Sequence, residues 1–511
     1  MRTSSVLLVS LSCCNAFRFP ISIPPFLQWA AAGPHRVAII GAGAGGSSAA
    51  FWLSRAQNRT PEHNVFIDVF EKETYIGGRS TVVHPYESVE YAPVELGASI
   101  FVQANKNLWR ATEEFNLSLA SFDGEDSELG IWDGAEFRFR ANQKNGEFGW
   151  WDMARLLWRY GINAPRRSQA LVKKLIDDYL MIYRPSTPSW ESVPAISSYL
   201  NFSELVAQTT EEYLDSQNID KKYSSEIIEA MTRVNYGQNL NQIHALEGLV
   251  SQAATGASGV KGGNYKIFEQ FLTRSNAKLY LNTTVESLTR KSNKWVLVTA
   301  EGESRTYDSI ILAAPYHSTN ITISPPLRIP IPEQPYIHLH VTYLSTSSPS
   351  PNPEYFFLKN DTTAPTTVLT THDGFVNGGP EPEFTSLTYH GKVTGHNGRP
   401  SEYIVKIFSL KTLSDTWIRG AFGKVGWIYR KEWDAYPRLP PTTEFPPVKP
   451  DSSFYYVNSF EPFISTMETE TISSLNAVQL LLTDVWGPNA TSCPEDVTSK
   501  DESEVMKGWD C

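Results

Sequence analysis

Cysteine is scarce in this chain, four in 511 residues, cations are outnumbered 44 to 55 by acids, and neither an internal repeat nor a long uninterrupted apolar run occurs. Each shortage removes a class of protein. A formal charge of −11 with no run of like charge argues against nucleic acid as a partner, because phosphate binding needs a concentrated positive face. No segment reaches the roughly 18 consecutive apolar residues of a bilayer-spanning helix, so no transmembrane segment is expected. No metal site is expected either. What remains is a globular composition, long enough for a large core divided between two structural lobes.

The first 16 residues resemble a short secretory signal. Arg2 precedes an apolar core from Val6 to Leu11, and Cys14-Asn15-Ala16 supplies small residues for cleavage. Residues 17–35, rich in proline and apolar side chains, read as an N-terminal spacer. Asn-x-Ser/Thr sequons at Asn58, Asn116, Asn201, Asn282, Asn320, Asn360 and Asn489 support entry to the secretory pathway, with a lysosome or vacuole, or export, as the destination. Removing the signal takes Cys13 and Cys14 with it. Cys493 and Cys511 then form a natural pair, whose closure contributes about 3 kcal/mol to a docked tail; two unpaired thiols on a free tail are the alternative.

The most informative window begins at His35. Val37 to Ile40 is a continuous apolar run of the kind a buried parallel strand needs, and Gly41, Gly43 and Gly46 complete GxGxxG as the chain enters a helix. The glycines permit a tight turn, close approach to a pyrophosphate, and close packing of helix on strand, with the diphosphate resting on the helix N-terminus. Ser47 to Ser54 reads as that helix, and Val65 to Phe70 as a second buried strand ending at Glu71. A carboxylate there accepts hydrogen bonds from adenosine ribose hydroxyls and repels a 2′-phosphate, which favours FAD or NAD over NADP. Glu71 stands 30 residues after Gly41, beyond the usual spacing of about 20; the polar loop Gln57 to Asn64 accounts for the excess. Gly77-Gly78-Arg79 follows, and it resembles the second signature of the flavin amine oxidases, where glycines admit backbone and a guanidinium neutralises phosphate.

The expected class is α/β: a Rossmann-like FAD-binding domain with a parallel sheet assembled from separated segments, plus a substrate domain of antiparallel sheet and helical cap. The FAD-binding parts are assigned to 36–108, 262–325 and 427–490. Residues 109–261 are read as the helical cap, 326–426 as the antiparallel sheet and 491–511 as a C-terminal tail. Apolar residues at i, i+3 and i+4 spacing, as in Leu171 to Ile182, carry the helical assignment. Trp150, Trp151 and Trp158 within it are read as core aromatics rather than a ligand cage. Ser309 to Pro315 suits a strand returning to the cofactor sheet, and His338 to Tyr343 and Tyr403 to Phe408 suit the antiparallel one. Pro462 to Ala477 reads as a late helix whose N-terminus faces the cofactor.

Taken together, these residues resemble the prenylcysteine oxidase (prenylcysteine lyase) family of the flavin amine oxidase clan. The resemblance rests on Ile40 to Ala50, Val69 to Glu73 with Gly77-Gly78-Arg79, Arg233-Val-Asn-Tyr-Gly-Gln238, Gly262-Gly-Asn264 and Tyr455 to Asn476, and it runs from Arg36 to Trp486. It implies an FAD thioether oxidase that cleaves S-farnesyl- or S-geranylgeranyl-cysteine with O2 and water to prenyl aldehyde, cysteine and H2O2, in breakdown of prenylated proteins. That chemistry is coherent: sulfur lone pair and alkene both stabilise the cation left at the allylic carbon, and water captures it. The cofactor carries the difficult step, and the protein holds, orients and shelters. The cofactor-binding set is Gly41, Gly43, Gly45, Gly46, Glu71, Lys72, Gly77, Gly78, Arg79, Val285, Ala314, Glu461, Thr466 and Met467. FAD is expected to be noncovalent, since the cysteines outside the signal lie in the tail.

No acid or base is identifiable by sequence. Tyr236, Gln238, His244 and Glu247 share one polar segment, and any of them could orient water or bind the amino-acid end; a buried polar residue satisfied by backbone is the competing reading for each. His317, after Ala313-Ala314-Pro315, is a similar candidate. The expected partners are prenylcysteine and O2, with peripheral membrane contact. An amine or polyamine oxidase would instead oxidise carbon next to nitrogen, and a prenyl-binding protein like the GDP dissociation inhibitors would be colourless.

Overall fold

The computed structural model describes residues 33–121, 127–144, 147–254, 256–359, 361–395, 400–493, 501 and 504–511. The expected signal, most of the spacer and Asn360 lie outside them. The other six sequon asparagines are exposed.

A five-stranded parallel sheet runs in the order Lys278–Tyr280, Val65–Phe70, His35–Ile40, Ser309–Leu312, Phe454–Tyr456. Its centre is largely apolar because both faces are covered, and the one buried acid of the two central strands, Asp68, accepts from Tyr307 OH at 2.6 Å. Val37 and Ile39 pack toward the helices Ala44–Arg59 and Met467–Trp486. Ala38 and Ile40 pack toward Leu288, Trp295 and Leu297 of a four-stranded sheet over residues 285–324. The first helix begins at Ala44 rather than Ser47 and runs to Arg59, so the last glycine of the fingerprint is helical.

The second lobe is an eight-stranded sheet in the order Val425–Pro437, Tyr336–Thr346, Glu402–Ser409, Ser386–Val393, Thr367–Thr370, Ser127–Trp132, Phe137–Lys144, Glu147–Phe148. It is antiparallel except where Thr367–Thr370 meets Ser127–Trp132. Two expected boundaries shift. Residues 127–144 and 147–148, assigned to the cap, supply strands of this sheet, the first two joined by a turn at Asp133-Gly134; Val425–Pro437, placed mostly in the cofactor domain, is its edge. Both follow from alternation: Leu129 and Ile131, then Phe137, Phe139 and Ala141, are spaced for a strand although they adjoin helices.

Trp150, Trp151 and Trp158 are not core. They are 68%, 66% and 91% exposed on the helix Trp150–Tyr160, because the buried face of that helix is supplied by Asp152, Tyr160 and the partly buried Leu156 instead.

The tail is docked. Cys493 and Cys511 are disulfide-bonded, and Trp509 is buried against Phe51, Trp52 and Phe271 with its indole N–H donated to Asn107 Oδ1 at 3.0 Å. Trp509→Ala should cost about 3–5 kcal/mol of stability in denaturant titration; a change within 0.5 kcal/mol, as expected of a surface substitution, would show that the tail carries no core.

Candidate active site

A cavity of about 790 Å³ extends from the carboxyl ends of the parallel strands to the eight-stranded sheet. At its first end lies the glycine turn. Gly41 has φ +103°, and a Cβ there would sit 2.5 Å from the Ala313 carbonyl; one at Gly46 would sit 1.9 Å from the Gly41 carbonyl. Gly43, by contrast, has only Gly77 O and Gly78 Cα within reach, both at 3.9 Å, so its face toward the cavity is open. The helix starts here without a side-chain cap and without an acid in its first turn. Open glycine surface and uncapped first-turn amides fit a bound diphosphate.

Glu71 closes the turn from the second strand. Its Oε2 accepts from Ala42 N–H (2.7 Å) and its Oε1 from Glu73 N–H (2.9 Å), while burial pushes the carboxyl above its ordinary pKa. Each oxygen keeps a second lone pair for a ribose hydroxyl. Arg79 pairs with Glu461 at 2.5 Å and donates to Ala435 O at 2.8 Å, with about a third of its side chain left exposed. Glu461 also accepts from Tyr336 OH (2.5 Å) and the Asn458 amide (3.2 Å). Beside it, burial and then the Glu461 charge push Glu470 up to about 8, and Glu470 Oε1 is buried without a partner among the described residues.

Of the expected cofactor set, Gly41, Gly43, Gly45, Glu71, Lys72, Gly77, Gly78, Arg79, Val285, Ala314, Glu461, Thr466 and Met467 all line the cavity. Gly46 does not; it packs helix on strand. Thr466 caps the helix Met467–Trp486 in a reciprocal box with Thr469, presenting that N-terminus to the cavity.

Away from the glycines the cavity has an apolar wall and a polar one. Phe101, Leu108, Leu175, Ile176 and Val250 come from the helical region and the segment before it. Opposite stand Ser386, Thr388, His390 and Lys406 of the large sheet. Lys406 Nζ donates to Ser99 Oγ at 2.9 Å, and burial pushes it down to about 7 despite Glu95 nearby. Glu95, behind the wall, is pushed up to about 7 by burial and accepts from Asn264 N–H at 2.5 Å. His390 is exposed toward the cavity, and the desolvating surroundings with the Lys406 charge push it down to about 3. Sequence reasoning missed Lys406. The available signal was a lone cation in Tyr403-Ile-Val-Lys-Ile-Phe408, where alternation puts Ile404, Lys406 and Phe408 on one face.

The five candidates separate. Tyr236 and His317 line the cavity. Tyr236 is hydrogen-bonded to Glu247, and His317 stacks on Tyr336 at 4.1 Å. Gln238, His244 and Glu247 do not reach it. The Gln238 amide donates to Pro437 O and accepts from Leu439 N–H. His244 caps a helix by accepting from Glu247 N–H, and its Nε2 donates to Pro462 O; burial pushes it down to about 4. Glu247 accepts from Ser465 N–H and is pushed up to about 8 by burial. These three brace backbone that the cavity needs, because buried polar groups this far from water must be satisfied internally.

Residues 143–493 match the prenylcysteine lyase family, and residues 39–115 match the NAD(P)-binding Rossmann-like domain. The chain belongs to the prenylcysteine lyase family. Farnesylcysteine lyase of Arabidopsis thaliana is 29% identical over 463 residues, covering 88% of each chain. Prenylcysteine oxidase 1 of Homo sapiens is also 29% identical, with 88% of each covered. Among solved structures, cyclohexylamine oxidase from Brevibacterium oxydans aligns at TM-score 0.56 and 14% identity, over 88% of this chain and 99% of that one. Putrescine oxidase bound to putrescine aligns at 0.57 and 13%, over 87% and 98%. These last two show a shared fold. The motif Arg233 to Gln238 that carries the family resemblance is half cavity wall and half brace: Val234, Asn235 and Tyr236 line the cavity, while Arg233 donates to Thr370 Oγ1 at 3.0 Å.

Glu247 gives a sign-definite test. A carboxyl whose folded pKa is raised from its ordinary 4.5 to about 8 contributes stability below 4.5 that is lost as pH rises through 8. Glu247→Gln mimics the protonated form. Its melting temperature relative to the unsubstituted protein should therefore rise between pH 5 and pH 8, and a gap independent of pH would contradict the assignment.

Proposed function

We propose that this chain is an FAD-dependent thioether oxidase that cleaves S-prenyl-L-cysteine, with O2 and water as co-substrates, to prenyl aldehyde, cysteine and H2O2. The observation that carries the reading is a single cavity joining a dinucleotide cradle to an apolar wall, in a chain whose relatives are named farnesylcysteine lyase and prenylcysteine oxidase. Bound FAD supplies a two-electron acceptor that O2 can restore. Gly43, the first-turn amides and Glu71 hold it, and Phe101, Leu108, Leu175 and Val250 exclude water around a prenyl chain. The wall of Ser386, Thr388 and Lys406 receives the amino-acid end, where a desolvated lysine forms strong charge-assisted hydrogen bonds.

The secretory signal, the sequons and the Cys493–Cys511 bond support an oxidising compartment, with a lysosome or vacuole, or export, as destination. Peripheral membrane contact is supported by the exposed Trp150, Trp151 and Trp158 of one helix and the exposed Arg166 and Arg167 early in the next. Indoles and cations of this kind favour a lipid interface. Among the described residues no helix is long and apolar enough to cross a membrane.

Purified protein should release flavin on denaturation and produce peroxide with farnesylcysteine but not with putrescine. Protein that is colourless and stays so with added flavin would overturn the reading. Glu71→Ala should lower FAD retention. Lys406→Met should lower kcat/KM for farnesylcysteine about 10- to 100-fold, the worth of a charged hydrogen bond, with FAD content unchanged; an unaffected kcat/KM would remove Lys406 from substrate binding.

A further inference from the structure

We propose that His338, His340 and Glu432 form a binding site for a divalent transition-metal ion of the zinc type beside the cavity wall. The geometry begins with strand alternation: His338 and His340, two apart in Tyr336–Thr346, project from one face of the sheet. The antiparallel register then sets Glu432 opposite His340 and Asp434 opposite His338. Glu432 Oε2 lies 3.4 Å from His340 Nδ1 and 3.8 Å from His338 Nε2, and the three donor atoms all fall within 4.8 Å of one another. Neighbouring ligand atoms around tetrahedral zinc are about 3.3 Å apart, so small rotations close the set.

The outer contacts favour a metal over a plain ion pair. His338 Nδ1 is 3.1 Å from Asp434 Oδ1. A proton on Nδ1 donated to that carboxylate leaves Nε2 unprotonated and aimed at Glu432, the carboxylate–histidine arrangement that orients metal-binding imidazoles. Thr412 Oγ1 is 3.3 Å from His340 Nδ1 and adds a further oxygen beside the donors. Two imidazoles and one carboxylate select zinc-like ions over Ca²⁺ or Mg²⁺, which take oxygen ligands, and leave a fourth position for water. The site is reachable, since His338 and Glu432 are exposed. Asp434 also lines the cavity and lies 3.9 Å from His317 Nε2, another lining residue, which puts the site beside the cavity wall.

The test is calorimetric titration of the FAD-loaded protein with Zn²⁺ in a non-chelating buffer. One equivalent should bind, undisturbed by excess Mg²⁺ or Ca²⁺. The double substitution His338→Ala, His340→Ala should abolish that step while leaving flavin absorbance and zinc-free melting temperature unchanged, and Asp434→Asn should weaken it about 10- to 100-fold. Glu432→Gln, at an exposed position, is a second variant that should lose tight binding. The protein has ten histidines, so the deciding signal is the one-equivalent step, and its loss in the variants supports the site. No stoichiometric step, or one unchanged in both variants, overturns the proposal. Because the readout is metal binding, its failure is independent of whether prenylcysteine is the substrate.

Discussion

The ion pair between Arg79, about a third of whose side chain is exposed, and the buried Glu461 is the contact on which the cavity depends. Arg79 belongs to the first segment of the cofactor domain, Glu461 precedes its last helix, Tyr336 donates to Glu461 from the substrate sheet, and Ala435 accepts from Arg79 on that sheet's edge. Stretches of chain around residues 79, 336, 435 and 461 therefore meet at one pair of charges. Such a pair is weak evidence of net stability, but removing Arg79 leaves the carboxylate of Glu461 buried without its counter-charge. It works as a register device between the two lobes.

Desolvation governs the chemistry of the interior. Glu95, Glu247, Glu468 and Glu470 are all pushed upward by burial and Lys406 and His390 downward, so groups that would be charged in water approach neutrality around the cavity. A chamber of that kind suits an apolar ligand. It also strengthens each remaining polar contact, since little water competes. Glu468 illustrates the pattern: it is fully enclosed, yet accepts from Asn107 N–H, Leu108 N–H and Tyr183 OH.

Much of the fold was legible because its signals are local. The apolar run Val37 to Ile40, the glycines after it and Glu71 at the end of the next strand lie within one βαβ unit, and each has one structural use. The hairpin of Ser127–Trp132 and Phe137–Lys144 was also legible in principle, from its alternation and its Asp133-Gly134 turn, but the surrounding helical periodicity masked it. The tryptophans of Trp150–Tyr160 misled for another reason. Bulk and apolarity say that burial is favourable, not which face finds a partner. Gln238, His244 and Glu247 look like chemistry in sequence because polar residues cluster there, whereas their hydrogen bonds show them holding Pro437, Leu439, Pro462 and Ser465 in place.

By itself, then, the sequence determined the cofactor half: a strand, an open glycine turn, an acid and a second glycine pair are short-range requirements of binding a diphosphate, written in consecutive residues. Only tertiary structure decided the substrate half. Lys406 faces the cavity because of sheet register, Arg79 meets Glu461 from a distant segment, and His338 and His340 meet Glu432 across a strand pair from distant positions. The reason is physical: burial and charge compensation are properties of what packs against a residue, and those neighbours are chosen by long-range folding rather than by adjacent sequence.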